Sequence, residues 1–153
     1  MDLIFWRHAE AVLDGEGGDD LERVLTTKGE RQAERMAEWL NRRLAHSTRI
    51  FASPAVRCQQ TAKALGREFR SSDLLAPGAG AEALLRVARW PDASEPVLLI
   101  GHQPSLGLAV SLALTGVAQA WPIKKAAVWW LRHRPRDGES EVILQAVQSA
   151  DCL

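Results

Sequence analysis

The stretch that decides the fold is Met1-Asp-Leu-Ile-Phe-Trp-Arg-His-Ala-Glu10, at the beginning of the chain. Its four consecutive apolar residues, Leu3 to Trp6, are too few for a buried helix but suit a strand covered on both faces, as in a parallel sheet. The run ends abruptly in Arg7 and His8. Because burying a guanidinium is costly unless an anion pairs with it, this corner of the sheet is predicted to bind one.

The composition is typical of one globular domain spanning residues 1–153. The chain is 46% hydrophobic and 25% charged, which allows a substantial core. Nineteen basic and nineteen acidic side chains balance, which favours neither nucleic acid nor an anionic membrane as a partner. Apolar runs are too short for a membrane span or an export signal, so a cytoplasmic location is expected. Cys58 and Cys152, far apart in sequence, are expected to be reduced thiols.

The segment after the first strand predicts a loop and then a helix. Residues 14–20 are glycine-rich and acidic, which is typical of a mobile surface loop. Thr27 and Glu30 have the spacing of a capping box at a helix N-terminus. Apolar residues then recur at helical spacing for about four turns, which predicts an amphipathic helix. Its predicted core stripe is Ala33, Met36, Ala37, Leu40 and Leu44.

A second strand and helix are predicted next. Arg49–Ala52 has the pattern of a short strand, after which Ser53 can cap a helix and Pro54 can occupy its first turn. Arg57 lies off the apolar stripe of this helix, in the first turn, where free backbone N–H groups favour an anion. The predicted core stripe is Ala55, Cys58, Ala62, Leu65 and Phe69.

The rest of the chain predicts a further helical unit and a hairpin. Residues 73–76 are interpreted as a short strand and residues 81–89 as a helix. Residues 97–100 predict a buried strand that runs into Gly101-His102-Gln103-Pro104, where Pro104 can open another helix. Residues 126–133 and 141–147, separated by the turn-forming residues 135–138, predict an antiparallel hairpin at one side of the sheet.

These elements predict a three-layer α/β/α sandwich with a mainly parallel sheet and an antiparallel side. In such a fold Arg7, His8, Arg57 and His102 all follow the carboxyl ends of strands, where open α/β sheets hold their ligands. Guanidinium forks match phosphate oxygens, and a histidine among them adds a nucleophile. The predicted ligand is therefore a tetrahedral oxyanion, above all phosphate.

Other phosphate chemistries lack their sequence motifs. The chain has no G-x-x-x-x-G-K-[ST] loop, and Ala64 stands where a cysteine-based phosphatase loop beginning at Cys58 needs arginine. No cluster of carboxylates and histidines in the sequence indicates a two-metal site, so histidine catalysis without metal or cofactor is expected. His46 and His133, which lie beside polar or charged residues, are expected on the surface.

Four motifs together resemble the histidine phosphatase superfamily, which includes the phosphoglycerate mutases. The motifs are Arg7-His8 after the first strand, Arg23-x-Leu-Thr-x-x-Gly29, Ser53-Pro54-x-x-Arg57-x-x-Gln60-Thr61 and Gly101-His102-x-Pro104. The small size and the second motif are most similar to the SixA-type phosphohistidine phosphatases. The resemblance implies a phosphoglycerate mutase-like fold. Ala9 departs from the glycine usual after the Arg-His pair.

The resemblance also implies residue roles. His8 would attack phosphorus and become transiently phosphorylated, while Arg7, Arg57 and His102 would hold the phosphoryl oxygens. Arg23 would add a further contact. Neighbouring arginines favour the neutral imidazole that such an attack requires, so the residue types agree with these roles.

The candidates for an acid that protonates the leaving group are Glu10 and Glu82. Phosphohistidine has a labile N–P bond and an imidazole leaving group, so it needs less general-acid help than an alkyl phosphate ester. The predicted partner is therefore a phosphorylated histidine-containing phosphotransfer protein, and the predicted process is signal transduction. The alternatives are hydrolysis of a small phosphorylated metabolite by the same chemistry, and a non-catalytic module that binds phosphate ion on phosphorylated partners.

Overall fold

A six-stranded mixed sheet forms the centre of the computed structural model, which describes residues 1–13 and 18–153. Its strands are β1 (Asp2–Arg7), β2 (Arg49–Ala52), β3 (Arg70–Ser71), β4 (Val97–Gly101), β5 (Val128–Arg136) and β6 (Glu139–Gln148). They lie in the order β3-β2-β4-β1-β5-β6. The first four strands pair in parallel, and β5 and β6 continue the sheet antiparallel from β1. The predicted mainly parallel sheet with an antiparallel side is confirmed.

Two layers of helices cover the sheet, one on each face. The helices are α1 (Thr27–Asn41), α2 (Val56–Lys63), α3 (Ala81–Val87) and α4 (Ser105–Thr115). Ile4 and Trp6 pack into the core formed with α1 and α2, whereas Leu3 and Phe5 pack into the core formed with α3 and α4. All four of these β1 side chains are fully buried, as expected for a strand covered on both faces. In the described part of the chain, no helix is long and apolar enough to cross a membrane.

The start of α1 differs by one residue from the prediction. The N-cap is Thr26, whose hydroxyl oxygen accepts a hydrogen bond from the Gly29 backbone N–H at 2.9 Å. The helix also approaches the backbone after β1 closely, since a Cβ atom at position 29 would lie 1.9 Å from the Glu10 carbonyl oxygen. Only glycine allows this contact, which fixes α1 against the segment that carries His8.

The start of α2 also differs from the prediction. The helix begins at Val56 after Ala55, and no side chain within the described ranges caps it. The Ser53 hydroxyl lies outside the helix and contacts the Ala55 backbone N–H and the His102 ring instead. Tertiary contacts at the end of β2 therefore outweigh the local capping preference of serine.

Two other elements refine the predictions. Residues 73–76 do not form a strand, because Asp73–Leu75 is a short 3-10 helix that buries Leu75 and leaves Leu74 exposed. The hairpin is confirmed, but its turn is shorter than expected: Asp137 and Gly138, both with positive φ, join β5 to β6. Four residues of the predicted mobile loop, 14–17, lie outside the described residues.

Candidate active site

The register of the sheet brings two histidines together at its carboxyl edge. Strands β1 and β4 are parallel neighbours with Arg7 opposite Gly101, so the residues that follow, His8 and His102, leave the sheet side by side. The His8 backbone N–H donates to the Gly101 carbonyl at 3.1 Å, which holds the two turns together. The ring centroids of His8 and His102 lie 5.3 Å apart.

The two histidines line a pocket of about 300 Å³ that is rich in positive charge. Four cationic side chains and, among the described residues, a single carboxylate share it. This excess of cations suits an anionic ligand carrying more than one charge. The lining residues are Arg7, His8, Ala11, Leu13, Asp20, Arg23, Arg57, Pro77, His102, Gln103 and Lys125.

His8 is held in a form that can act as a nucleophile. Its Nδ1 lies 2.8 Å from the Ala9 carbonyl oxygen, and because a carbonyl can only accept, Nδ1 carries the proton. The other ring nitrogen, Nε2, therefore keeps its lone pair. Burial, together with the charges of Arg57 and Arg7, lowers the pKa of His8 to about 4. The imidazole is thus neutral at pH 7.

Arg57 is the most deeply buried cation of the pocket, with 3% of its side chain exposed. Its Nη1 donates to the Asp20 carbonyl at 2.7 Å, and its Nη2 donates to the Asp20 carboxylate at 3.1 Å. Nη2 also lies 3.2 Å from Nδ1 of His102. Although the helical pattern put this arginine off the core stripe, the segment containing Asp20 covers it.

The contacts of His102 define its tautomer. Since a guanidinium can only donate, Nδ1 of His102 accepts from Arg57, and Nε2 donates to the Ser53 hydroxyl oxygen at 2.7 Å. Burial and the charge of Arg57 lower the pKa of His102 to about 3, so this ring is neutral as well. The sulfur of Cys58 lies 3.5 Å from Nε2, and burial raises the pKa of this thiol to about 12.

Arg7 and Arg23 are each anchored by a backbone carbonyl. Arg7 donates from Nη1 to the Ile123 carbonyl at 2.7 Å, and its buried Nε finds no partner among the described residues. Arg23 donates from Nη1 to the Val12 carbonyl at 3.0 Å and from Nε to the Asp20 carboxylate at 3.0 Å. Fixed guanidiniums of this kind bind an oxyanion without reorganising.

Three residues of the site, Asp20, Ser53 and Lys125, were not predicted from the sequence to belong to it. Asp20 lay in a segment interpreted as a loop, and Ser53 was interpreted as a helix cap. The sequence did contain two indications of the contacts of Asp20 and Ser53. Asp20 precedes Arg23 by three residues, and Ser53 follows β2 just as His102 follows the adjacent strand β4. Burial is the largest single influence on the pKa of Asp20 and raises it, but the hydrogen bonds and charges of Arg57 and Arg23 together outweigh burial and hold this pKa below its usual value.

The two candidate acids, Glu10 and Glu82, are not among the residues that line this pocket. The Glu10 carboxylate accepts a hydrogen bond from the Thr26 hydroxyl at 2.8 Å, at the start of α1. Glu82 lines a separate surface cleft on α3, with Arg86 and Arg89. The structure therefore does not bring either carboxylate together with His8 and His102.

Two further motif residues hold the scaffold of the site. The Thr61 hydroxyl accepts from the Ala9 backbone N–H at 3.1 Å and donates to the Arg57 carbonyl at 2.7 Å. The Gln60 side chain accepts from the Leu25 backbone N–H at 2.7 Å. These contacts tie α2 to the segments that follow β1, which explains why glutamine and threonine accompany the arginine in this motif.

The other two histidines and Cys152 are not among the residues that line this pocket, whereas Cys58 contacts it through His102. His46 is exposed. His133 is partly buried and packs edge-on against Trp90, with the two ring centroids 5.8 Å apart. Cys58 and Cys152 are free thiols, as predicted. Within residues 1–13 and 18–153, no group of three or more histidine, cysteine or carboxylate side chains is arranged to hold a metal ion.

Comparisons with known proteins agree with this geometry. Residues 3–76 match the family model of the histidine phosphatase superfamily (branch 1). An uncharacterised protein of Picosynechococcus sp. is 35% identical over 142 residues, covering 86% of this chain and 85% of that protein. The chain belongs to the histidine phosphatase superfamily. This membership supports a phosphatase activity.

Two further relatives narrow the likeness within the superfamily. The phosphohistidine phosphatase SixA of Escherichia coli K12 is 29% identical over 125 residues, covering 72% of this chain and 73% of that protein. The solved structure of the protein histidine phosphatase SixA complexed with tungstate has the same fold, with a TM-score of 0.78 and 23% identity. That superposition covers 99% of each chain. The chain is therefore a SixA-like member of its superfamily.

Proposed function

We propose that this protein is a phosphohistidine phosphatase that dephosphorylates a histidine side chain of a phosphotransfer protein. One observation carries the proposal: His8 is a neutral imidazole whose Nδ1 proton is held by the Ala9 carbonyl. Its Nε2 lone pair is therefore available in a pocket lined by four cations. A module that only binds phosphate would need the cations but not this nucleophile.

In the proposed reaction, Nε2 of His8 attacks phosphorus in line with the scissile N–P bond. A new N–P bond forms on His8 as the bond to the substrate imidazole breaks, and the leaving nitrogen keeps the electron pair and takes a proton from water. Water then attacks the phosphoryl group on His8. The second N–P bond breaks, inorganic phosphate leaves, and the neutral imidazole of His8 is restored.

The proposed roles of the surrounding residues follow from their contacts. Arg7, Arg57 and Arg23 stabilise the charge that spreads over the equatorial phosphoryl oxygens. Two of these arginines, Arg7 and Arg23, are already held by backbone carbonyls, so little reorganisation is needed during the reaction. His102 contacts Arg57 directly and would exchange that contact for a phosphoryl oxygen.

The acid–base character of the pocket favours an N–P substrate over an alkyl ester. Asp20, the carboxylate of the described lining residues, is held ionised by Arg57 and Arg23 and is therefore a poor proton donor. An alkoxide leaving group needs such a donor, whereas an imidazole leaving group needs it far less. The likeness to a protein named phosphohistidine phosphatase SixA supports the same choice of substrate.

Rapid-quench intact mass spectrometry tests this proposal. The protein is mixed at neutral to alkaline pH with a phosphotransfer domain phosphorylated on histidine, and phosphate release is followed in parallel. We expect a transient phosphoryl adduct that maps to His8 and is absent from the His8→Ala variant. His46→Ala is the matched control, because this exposed histidine lies outside the pocket and its loss should change neither signal.

Two results would contradict the proposal. If wild-type protein formed no adduct and released no phosphate, the protein would not act on this class of donor. If a phosphate monoester were turned over with an adduct on His8 while the phosphohistidine donor was not, the substrate would be a small phosphorylated metabolite.

A further inference from the structure

The mechanism proposed above gives no binding role to the acidic residue of the pocket's described lining. Asp20 is the only acidic side chain among the described lining residues, and it lies among four cations. A solvated surface carboxylate would need no explanation, but Asp20 contacts the most deeply buried of these cations, Arg57, through two of its own atoms.

The contacts of Asp20 resemble those expected of a bound oxyanion. One carboxylate oxygen accepts from Nη2 of Arg57 at 3.1 Å, and the other accepts from Nε of Arg23 at 3.0 Å. The carboxylate thus bridges two guanidiniums that line the pocket, as two oxygens of a phosphoryl group would. A phosphoryl group and this carboxylate therefore compete for some of the same donors.

We propose that Asp20 sets the affinity of the site for phosphate by competing with it for Arg57 and Arg23. The inference rests on the proposed function and deepens it. Between turnovers the carboxylate bridges the two arginines, and an incoming phosphoryl group displaces it. After hydrolysis Asp20 returns, which favours the release of inorganic phosphate.

The difference in burial between Asp20 and Arg57 indicates that the Asp20 carboxylate is the group that moves when a phosphoryl group binds. The side chain of Asp20 is 46% exposed, whereas that of Arg57 is 3% exposed. A half-exposed carboxylate can turn into water at little cost, but a buried guanidinium has no such alternative. The Asp20 backbone carbonyl also holds Nη1 of Arg57, a contact that can persist when the carboxylate leaves. Arg57 thus stays in position while its anionic partner is exchanged.

Competition of this kind adds the same free-energy cost to the binding of the free product and to the binding of a protein substrate. Inorganic phosphate binds only through the pocket, so it has no other contacts to offset this cost. A phosphorylated protein gains additional contacts outside the pocket, which offset it. Because the two arginines hold the pKa of Asp20 low, the carboxylate is ionised throughout the neutral pH range.

The test measures the binding of inorganic phosphate by isothermal titration calorimetry, without turnover. We expect Asp20→Asn to bind phosphate at least about tenfold more tightly than wild type, because a neutral amide competes poorly for two guanidiniums. Glu22→Gln is the matched control, since it removes the same charge from an exposed residue of the same 3-10 helix, Asp20–Glu22. The control should bind phosphate as wild type does.

A second measurement needs no variant and therefore does not depend on how Asp20→Asn folds. In a crystal structure of the wild-type protein with tungstate, the Asp20 carboxylate should have left Nη2 of Arg57, with a tungstate oxygen in its place. If Asp20 keeps this contact while tungstate occupies the pocket, the proposal is overturned.

The outcomes separate this inference from the proposed reaction. Equal phosphate binding by wild type and a folded Asp20→Asn variant overturns the role of Asp20 but leaves the chemistry of His8 untouched. Tighter phosphate binding by Asp20→Asn, without any phosphoryl adduct on His8 of the wild type, supports the role of Asp20 and contradicts the proposed reaction.

Discussion

The two ends of strand β2 carry similar residues in very different surroundings. Beyond its carboxyl end, Ser53 and Arg57 both contact His102, and Arg57 and His102 line the pocket of about 300 Å³ that contains His8. At its amino end, a hydroxyl, an imidazole and arginines line a wider groove of about 800 Å³. We call this the amino-end groove. Its lining residues are His46, Thr48, Arg49, Ile50, Phe51, Arg67, Glu68, Phe69 and Arg70.

The difference between the two sites lies in burial and in how the cations are held. In the amino-end groove His46 and Arg70 are exposed. The guanidinium of Arg49 lies over the Phe51 ring, with its central carbon 5.3 Å from the ring centroid. Water screens charges in such a setting, so each contributes little to binding an anion. In the pocket that contains His8, by contrast, Arg57 and both histidines are buried. Burial of the arginine, rather than the number of arginines, is what favours an oxyanion there.

The largest effect on activity is expected when Arg57, in the first turn of α2, is replaced by lysine. The matched change is made at Arg49, at the amino end of β2. Arg57→Lys keeps the charge but loses the guanidinium fork that reaches both Asp20 and His102. We expect kcat/KM for the phosphohistidine donor to fall by about 100-fold or more. Arg49→Lys, the matched change in the amino-end groove, should stay within about twofold of wild type.

Steady-state kinetics measure both variants, and thermal denaturation checks that each is folded. The comparison fails if folded Arg57→Lys retains nearly full activity, or if Arg49→Lys is equally impaired.

A smaller effect on activity is expected when the Ser53 hydroxyl, which follows the carboxyl end of β2, is removed. Removal of the Thr48 hydroxyl, which precedes the amino end of β2, serves for comparison. For His102 to donate from Nδ1 to a phosphoryl oxygen, its Nε2 must accept, and the Ser53 hydroxyl can reverse its role and donate. Ser53→Ala removes the hydroxyl that donates to Nε2 of His102, so kcat/KM should fall about tenfold. Ser53→Thr keeps a hydroxyl at this position and should retain activity. Thr48→Val is the control, because the buried Thr48 hydroxyl has no partner among the described residues.

Nitrogen NMR of the imidazoles reads out the tautomer of His102 directly. With tungstate bound, we expect the proton on Nδ1 in wild type, and a mixture in Ser53→Ala. A proton that stays on Nε2 in the tungstate complex of wild type would disprove this role of Ser53.

The smallest effect is expected on the pH dependence of stability. Burial and the nearby arginines lower the folded-state pKa of His8 to about 4, from an ordinary value of 6.5. Between these values the unfolded chain binds a proton that the folded protein does not. The stabilising contribution of neutral His8 is therefore fully present above pH 6.5 and is lost as pH falls toward 4. The loss for this group is at most about 1.4 kcal/mol per pH unit.

Urea unfolding at pH 7, 6 and 5 measures this slope. The free energy of unfolding of His8→Gln should depend less steeply on pH than that of wild type, and His46→Gln, in the amino-end groove, should match wild type. Parallel curves for His8→Gln and wild type would show that the imidazole of His8 titrates normally in the folded protein.

Much of the fold follows from local sequence pattern. The apolar runs that became β1 and β4 are too short for helices, and the stripe of α1 repeats at helical spacing, so periodicity alone distinguishes them. Proximity of Arg7, His8, Arg57 and His102 could also be anticipated. Arg7 ends a strand of the parallel sheet and the other three follow one, and the carboxyl ends of such strands share one edge.

Other features required the tertiary structure. The strand predicted over residues 73–76 is a 3-10 helix, since only Leu75 of its two leucines is buried by the neighbouring elements. Similarly, either Thr26 or Thr27 could cap α1 by sequence. The close approach of Gly29 to the Glu10 backbone and the contact of Thr26 with the Glu10 carboxylate accompany the use of Thr26.

By itself, then, the sequence determined the four helices, every strand except the short β3, and which residues stand at the reactive edge of the sheet. It did not determine the partners of those residues. Asp20 meets Arg57 across 37 positions of sequence, and Ser53 meets His102 across 49. Such contacts depend on the relative positions of whole elements, which are set by packing against both faces of the sheet. Only the tertiary structure decided that a carboxylate lies where phosphate is expected to bind.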